Sequence, residues 1–195
     1  MLALVLALFV SGCDVAEVLF TCPDCALKPD EAAFQSQDED GILAFGLTVD
    51  APTTLDDPVT GSIEWLAAAG DDVTLRELTF PSDLLPGQHR LILWRVPAGT
   101  WSLRNARVGE GRQSRLSKVL VDQTAATVVR AGHITIAGEI RVKATSVPPI
   151  MSYGLEASFV RKELQAYPDI TAPSDEMPLV DLRAHPTLNK HPSSH

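Results

Sequence analysis

Residues 133–143 read His-Ile-Thr-Ile-Ala-Gly-Glu-Ile-Arg-Val-Lys. Ile134, Ile136, Ile140 and Val142 fall on one side of a two-residue repeat. His133, Thr135, Glu139, Arg141 and Lys143 fall on the other. Successive side chains of an extended chain point to opposite faces, so this pattern predicts a half-buried strand with all four aliphatic residues on one face. Gly138 falls within that apolar set and predicts a bulge or a close backbone approach.

Working outward, Leu43, Phe45, Leu47 and Val49 alternate in the same way and stop at Asp50-Ala51-Pro52. Arg90 to Val96 is apolar on both faces, which predicts a central strand covered on both sides. Trp101 and Leu103 alternate with Ser102 and Arg104. Ser117 to Val121 and Thr127 to Arg130 are further candidates, and Val73 to Phe80 is a weaker one. Ile63 to Ala69 reads as a strand or a short helix. Turn signals separate these runs: Leu85-Pro86-Gly87-Gln88, Pro97-Ala98-Gly99-Thr100, Gly109-Glu110-Gly111 and Ala131-Gly132. Gly supplies positive φ and Pro presets a corner. Many strands at this spacing without long helices predict a mainly β fold, an antiparallel β-sandwich or barrel, over residues 41–147.

Past Pro148-Pro149 the period changes. Leu155, Ala157, Phe159, Val160, Leu164 and Tyr167 recur at helical spacing, predicting one amphipathic helix over 153–167, within a C-terminal unit 148–167 that packs on the sheet. Pro168 stops it. Residues 168–195 hold five prolines among polar residues and predict a tail that is disordered or loosely laid on the surface.

The chain carries a net charge of −9, unevenly spread. Residues 14–40 hold eight acids against Lys28, whereas residues 41–167 hold 13 acids and 13 bases. The acidity belongs to the flanks, and residues 13–40 read as an extended, self-repelling tether. No basic face of the kind a nucleic-acid binder needs is visible as a cluster. Arg104, Arg107, Arg112, Arg115 and Lys118 are the densest bases. They read as a solvated loop and strand edge, with an anion-binding patch as the sharper alternative.

Val10-Ser11-Gly12-Cys13 closes the apolar run Leu2 to Val10. Nine apolar residues fit the ~7–15 of a signal h-region. They fall short of the about 20 that a spanning helix needs. The arrangement resembles the lipobox of bacterial lipoproteins. That resemblance implies that residues 1–12 are a signal peptide and that Cys13 is lipidated, with palmitate-type acyl chains, and becomes the first mature residue. The protein would then be held on a membrane of the bacterial cell envelope, facing the periplasm or the exterior. One departure is that no Lys or Arg precedes Cys13.

Val96-Pro97-Ala98-Gly99-Thr100-Trp101-Ser102-Leu103 and the later Val128 to Ile136 resemble the turns and strands of bacterial immunoglobulin-like and transthyretin-like β-domains. This second resemblance covers roughly residues 85–145. It implies a fold and an envelope setting but carries over no catalytic residue.

Cys22-Pro23-Asp24-Cys25 is the remaining chemical signal. With Cys13 lipidated, an even pair is left in an oxidising compartment, which predicts a disulfide between Cys22 and Cys25. The alternative is a redox or metal-dependent accessory protein using the same two cysteines. A thioredoxin-type site needs the motif opening a helix beside a βαβ sheet, and zinc needs two more ligands; His185, His191 and His195 are the clustered candidates. No nucleophile elbow, phosphate loop, zinc-protease motif or dinucleotide fingerprint occurs, and His89 and His133 read as structural histidines. The expectation is a non-catalytic binding or assembly module with no cofactor, no metal and no nucleic-acid partner. Its partners would be the membrane, through the lipid, and an envelope protein.

Overall fold

A computed structural model describes residues 39–51, 56–69, 72–109, 117–121, 125–146, 148–167, 170 and 172–181. Eleven strands and one helix are found among them. They are β1 (Asp40–Asp50), β2 (Thr60–Ala69), β3 (Asp72–Thr79), β4 (His89–Pro97), β5 (Gly99–Gly109), β6 (Ser117–Val121), β7 (Ala125–Val129), β8 (Ile134–Lys143), β9 (Ile150–Gly154), α1 (Ser158–Gln165), β10 (Ser174–Glu176) and β11 (Val180–Asp181). The fold is mainly β, and two sheets pack around a shared core.

One sheet runs β4-β1-β8, with β9 and β10 both on the far edge of β8. The other runs β3-β2-β5, with β6 and β7 both on the far edge of β5. Two connections join them along one side. Strand β6 pairs with β9 through Leu120↔Ile150 and Val121↔Met151. Residues 174–181 then cross from one sheet to the other, β10 lying on β8 and β11 on β7. Pairing is mixed, not purely antiparallel as expected: β1–β8, β6–β9 and β8–β10 are parallel. Alternating side chains report burial, and burial is the same whichever way a neighbouring strand runs.

Leu43, Phe45, Leu47 and Val49 of β1 enter the shared core with Ile92, Trp94 and Val96 of β4. From the opposite sheet come Ile63 and Trp65 of β2 and Trp101, Leu103, Ala106 and Val108 of β5. Aromatic rings link the layers in series. Phe45 and Trp65 lie 5.8 Å apart, Trp65 and Trp94 6.5 Å, and Trp94 and Trp101 5.1 Å in an edge-to-face arrangement. Such tilted geometries suit the ring quadrupole.

The expectation that Ile134, Ile136, Ile140 and Val142 share a face is corrected. Ala44 pairs with Ile136 and Gly46 with Glu139, so Phe45 alone opposes Ala137 and Gly138. This is a β-bulge, and Gly138 adopts φ +94° within it. The extra residue inverts the alternation. Ile134 and Ile136 point outward with Ile42, Ala44 and Leu93, whereas Ala137, Ile140 and Val142 point into the inter-sheet core. A second irregularity at Arg104, between the pairs Glu64↔Asn105 and Trp65↔Leu103, shifts β5 in the same manner.

The outward patch is covered by α1 through Ala157 and Val160, with Phe159 and Leu164 packed alongside. The helix is shorter than the expected 153–167. Ile150–Gly154 forms a strand instead, and Leu155 is 63% exposed. Strand β4 is covered on both faces as expected, yet among the described residues it is an edge strand whose one ladder is with β1. Residues 172–181, expected to be disordered or loosely laid on the surface, are paired, and Leu179 is fully buried. Residues 182–195 lie outside the described residues, as does the Gly109-Glu110-Gly111 turn beyond Gly109.

Two expected turns form. Gln88 N donates to Leu85 O at 3.1 Å, with Gly87 at φ +71°. His133 N donates to Arg130 O at 3.3 Å, with Gly132 at φ +69°. Glycine in the third position with positive φ is what a type II turn requires.

Candidate functional site

Cys13, Cys22 and Cys25, the residues singled out for lipidation and disulfide formation, lie outside the described residues, together with His185, His191 and His195. The chemistry that the structure does place is on the two outer sheet faces.

On the outer face of β2, β3 and β5 lies a polar group that the sequence conceals. Ser62, Glu64, Ser102 and Asn105 are all buried. Each sits in a strand where the alternation turns its side chain away from the inter-sheet core. The Glu64 carboxylate is paired with the Arg107 guanidinium at 2.5 Å, and the Ser62 hydroxyl donates to the Glu77 carboxylate. The Asn105 Oδ1 has no hydrogen-bond partner among the described residues. Glu64 and Asn105 are cross-strand neighbours, and so are Ser62 and Arg107. This set holds charges that are already matched. Glu64 is occupied by Arg107, which makes it an acceptor in an ion pair. Arg107 belongs to the basic stretch 104–118, so one of those bases is spent on an internal pair. Arg104, at the irregularity of β5, is exposed.

The histidines sit at the borders of the other sheet. His89, at the start of β4, lies flat against Phe159 of α1, with ring centroids 3.4 Å apart, and its Nε2 is 3.6 Å from Glu139 Oε1. Gly46 makes room for this stack, since a Cβ there would overlap His89 Nε2. Asp175 Oδ2 accepts from Arg130 at 3.1 Å and lies 3.0 Å from His133 Nδ1, which makes no hydrogen bond among the described residues. Asp175 thereby ties β10 to the turn before β8. The Asp83 carboxyl is held below the usual carboxylate range by the hydrogen bond from Arg90, with burial opposing and the guanidinium charge adding to the effect.

Among the described residues no three His, Cys, Asp or Glu side chains converge in a way that could hold a metal ion, and no helix is long and apolar enough to cross a membrane. Sequence reasoning missed Glu64 and Asn105. Each falls at an ordinary solvent-face position of an alternating run, and nothing local reports that the side chain is buried. Comparisons with protein-family models, with curated proteins and with solved structures gave no match.

Proposed function

We propose that this chain is a lipid-anchored protein of the bacterial cell envelope and that its β-sandwich is a non-catalytic binding or assembly module of immunoglobulin-like or transthyretin-like type. The observation that carries the anchor is Val10-Ser11-Gly12-Cys13 at the end of an apolar run. Acyl chains at about 0.8 kcal/mol per buried methylene, two or more together, give stable anchoring. Supporting a module over an enzyme, the Glu64 and Asp175 carboxylates are paired with Arg107 and Arg130. The acidic segment 13–40 would hold the domain away from an anionic lipid surface. Metabolic labelling with a palmitate analogue tests the anchor. The native chain should take up label and fractionate with membranes, and Cys13→Ser should lose both. A Cys13→Ser chain that is still cleaved and membrane-bound would refute the reading.

The spacing Cys22-Pro23-Asp24-Cys25 favours one further feature, a disulfide between the two cysteines. In sequence the pair has Asp24 and Asp30 near it against Lys28 alone, whereas a reactive thiolate is favoured by neighbouring cations or a helix N-terminus. Intact-mass analysis should find the pair joined and metal-free. Stoichiometric zinc, or rapid reduction of a protein disulfide, would promote a redox or metal-dependent accessory role.

A further inference from the structure

Strand β3 has a ladder with β2 along one edge, and no described strand pairs with its other edge. The hydrogen-bond phase follows from one contact. Phe80 N donates to Gly61 O at 2.9 Å, which makes 61/80 a hydrogen-bonded pair. Antiparallel ladders alternate, so the pairs Ile63↔Leu78, Trp65↔Arg76, Ala67↔Thr74 and Ala69↔Asp72 are hydrogen-bonded as well. The N–H and C=O groups of Val73, Leu75, Glu77 and Thr79 therefore point away from β2, toward the unpaired edge. Lysine, proline and a bulge are common edge protections, and β3 has none of the three in its register with β2. Val73 is 51% exposed and Leu75 60%, both on the outer face. Half-buried Leu66 and Ala68 stand across from Leu75 and Val73 on β2 and extend the apolar surface.

We propose that this edge pairs antiparallel with β3 of a second copy of the chain, about a two-fold axis through Thr74. The order Asp72-Val73-Thr74-Leu75-Arg76 is complementary to itself in that register. Val73 faces Leu75 of the second copy, and Asp72 faces Arg76. Thr74 faces Thr74 at the axis. Both exposed aliphatic residues acquire an apolar partner, and opposite charges meet at either end. The backbone phase agrees. Val73 and Leu75 carry the outward N–H and C=O groups, so the two Val73/Leu75 pairs become hydrogen-bonded pairs with about four inter-chain bonds, and Thr74/Thr74 becomes the close, non-hydrogen-bonded pair between them. The neighbouring registers are worse. An axis through Leu75 sets Val73 against Glu77 and Arg76 against Thr74, and an axis through Arg76 sets two guanidinium groups against each other. An isologous contact of this kind closes on itself as a dimer and does not propagate. The inference goes beyond the anchor and does not depend on it.

Sedimentation velocity on the full chain in mild detergent, over a range of concentrations, should show a monomer–dimer equilibrium. Val73→Pro removes an N–H that no ladder among the described residues uses, so the variant should keep its circular dichroism and become monomeric. Asp72→Arg replaces two cross-strand attractions by repulsions and should weaken the dimer about tenfold. Thr74→Cys should form an inter-chain disulfide between its two introduced thiols under mild oxidation, identified by peptide mapping, because non-hydrogen-bonded partners sit within disulfide reach. Thr79→Cys, displaced from the axis, should form none. A native chain that is monomeric at every concentration overturns the proposal. So does a dimer that ignores Val73→Pro, or one that is cross-linked by Thr79→Cys and not by Thr74→Cys.

Discussion

Gly138 presents its bare α-carbon to the carbonyl oxygen of Gly154, and a methyl group on Gly138 would overlap that oxygen. The contact holds β9 against β8 at the residue where β8 exchanges its inner and outer faces. Backbone conformation and space both exclude a side chain there, since φ is +94°.

Gly138→Ala should therefore destabilise the fold by about 2–4 kcal/mol, combining left-handed strain with a backbone clash that cannot relax cheaply. Gly87→Ala is the control. It has φ +71° but nothing within 4 Å of the added methyl, so it should lose only about 1 kcal/mol. Urea unfolding of the two variants compares them directly. Equal losses would mean that the approach of Gly154 carries no energy.

The inverted faces of β8 separate two substitutions that look alike in the sequence. Ile140→Asp puts a carboxylate between the sheets and should abolish cooperative folding. Ile136→Asp puts it beneath α1. That variant should release the helix, making 158–165 protease-sensitive, while tryptophan fluorescence still reports a packed core. A released helix in Ile140→Asp with an intact Ile136→Asp would show that the bulge is misplaced.

Trp94 and Trp101 are both buried, yet their indole nitrogens differ. Trp101 Nε1 donates to Pro97 O at 3.0 Å, and Trp94 Nε1 has no partner among the described residues. Replacing either by Phe removes similar volume. Trp101→Phe additionally strands a carbonyl, whereas Trp94→Phe relieves an unpaired donor. Thermal unfolding should place Trp101→Phe about 1–3 kcal/mol below Trp94→Phe. The reverse order would sink this account.

Arg107→Met leaves the Glu64 carboxylate buried without its cation and should cost about 1–3 kcal/mol, moderated by the partial exposure of the arginine. Glu64→Gln/Arg107→Met should recover most of that loss. A double variant as unstable as the sum of both singles would mean that the two side chains act independently.

Strands β1, β4 and β8 were legible because aliphatic residues at every second position can be read without knowing their neighbours. Their faces were not. Ile134, Ile136, Ile140 and Val142 keep a two-residue repeat straight through the bulge, so an unbroken pattern in sequence maps onto two opposite surfaces in space. The helix was overextended for a related reason. Tyr153 and Leu155 fit helical spacing, but the ladder with Glu139 to Lys143 claims Ile150–Gly154 first. Strands β10 and β11 were illegible because Ser174–Glu176 is polar and shows no apolar alternation, and its ion pairs with Arg130 and Arg161 reach residues distant in sequence. Among the site residues, Glu64 lies between Ile63 and Trp65 as any solvent-facing residue would, and only the third dimension reveals that it is buried and paired with Arg107.

The crossing formed by residues 174–181 sets a timetable for folding. Strand β1 is flanked by β4 and β8, partners that lie far along the chain, and β8 and β7 are completed by residues later still. Closing such large loops precedes any energetic return, and topologies of this kind fold in milliseconds to seconds. A nascent chain that has not yet reached Ser174 has open backbone on β8 and β7, the surfaces on which wrong partners add. Acquisition of the native state is thus a late event in synthesis, and the interval before it is when a chaperone that shields strand edges would matter most.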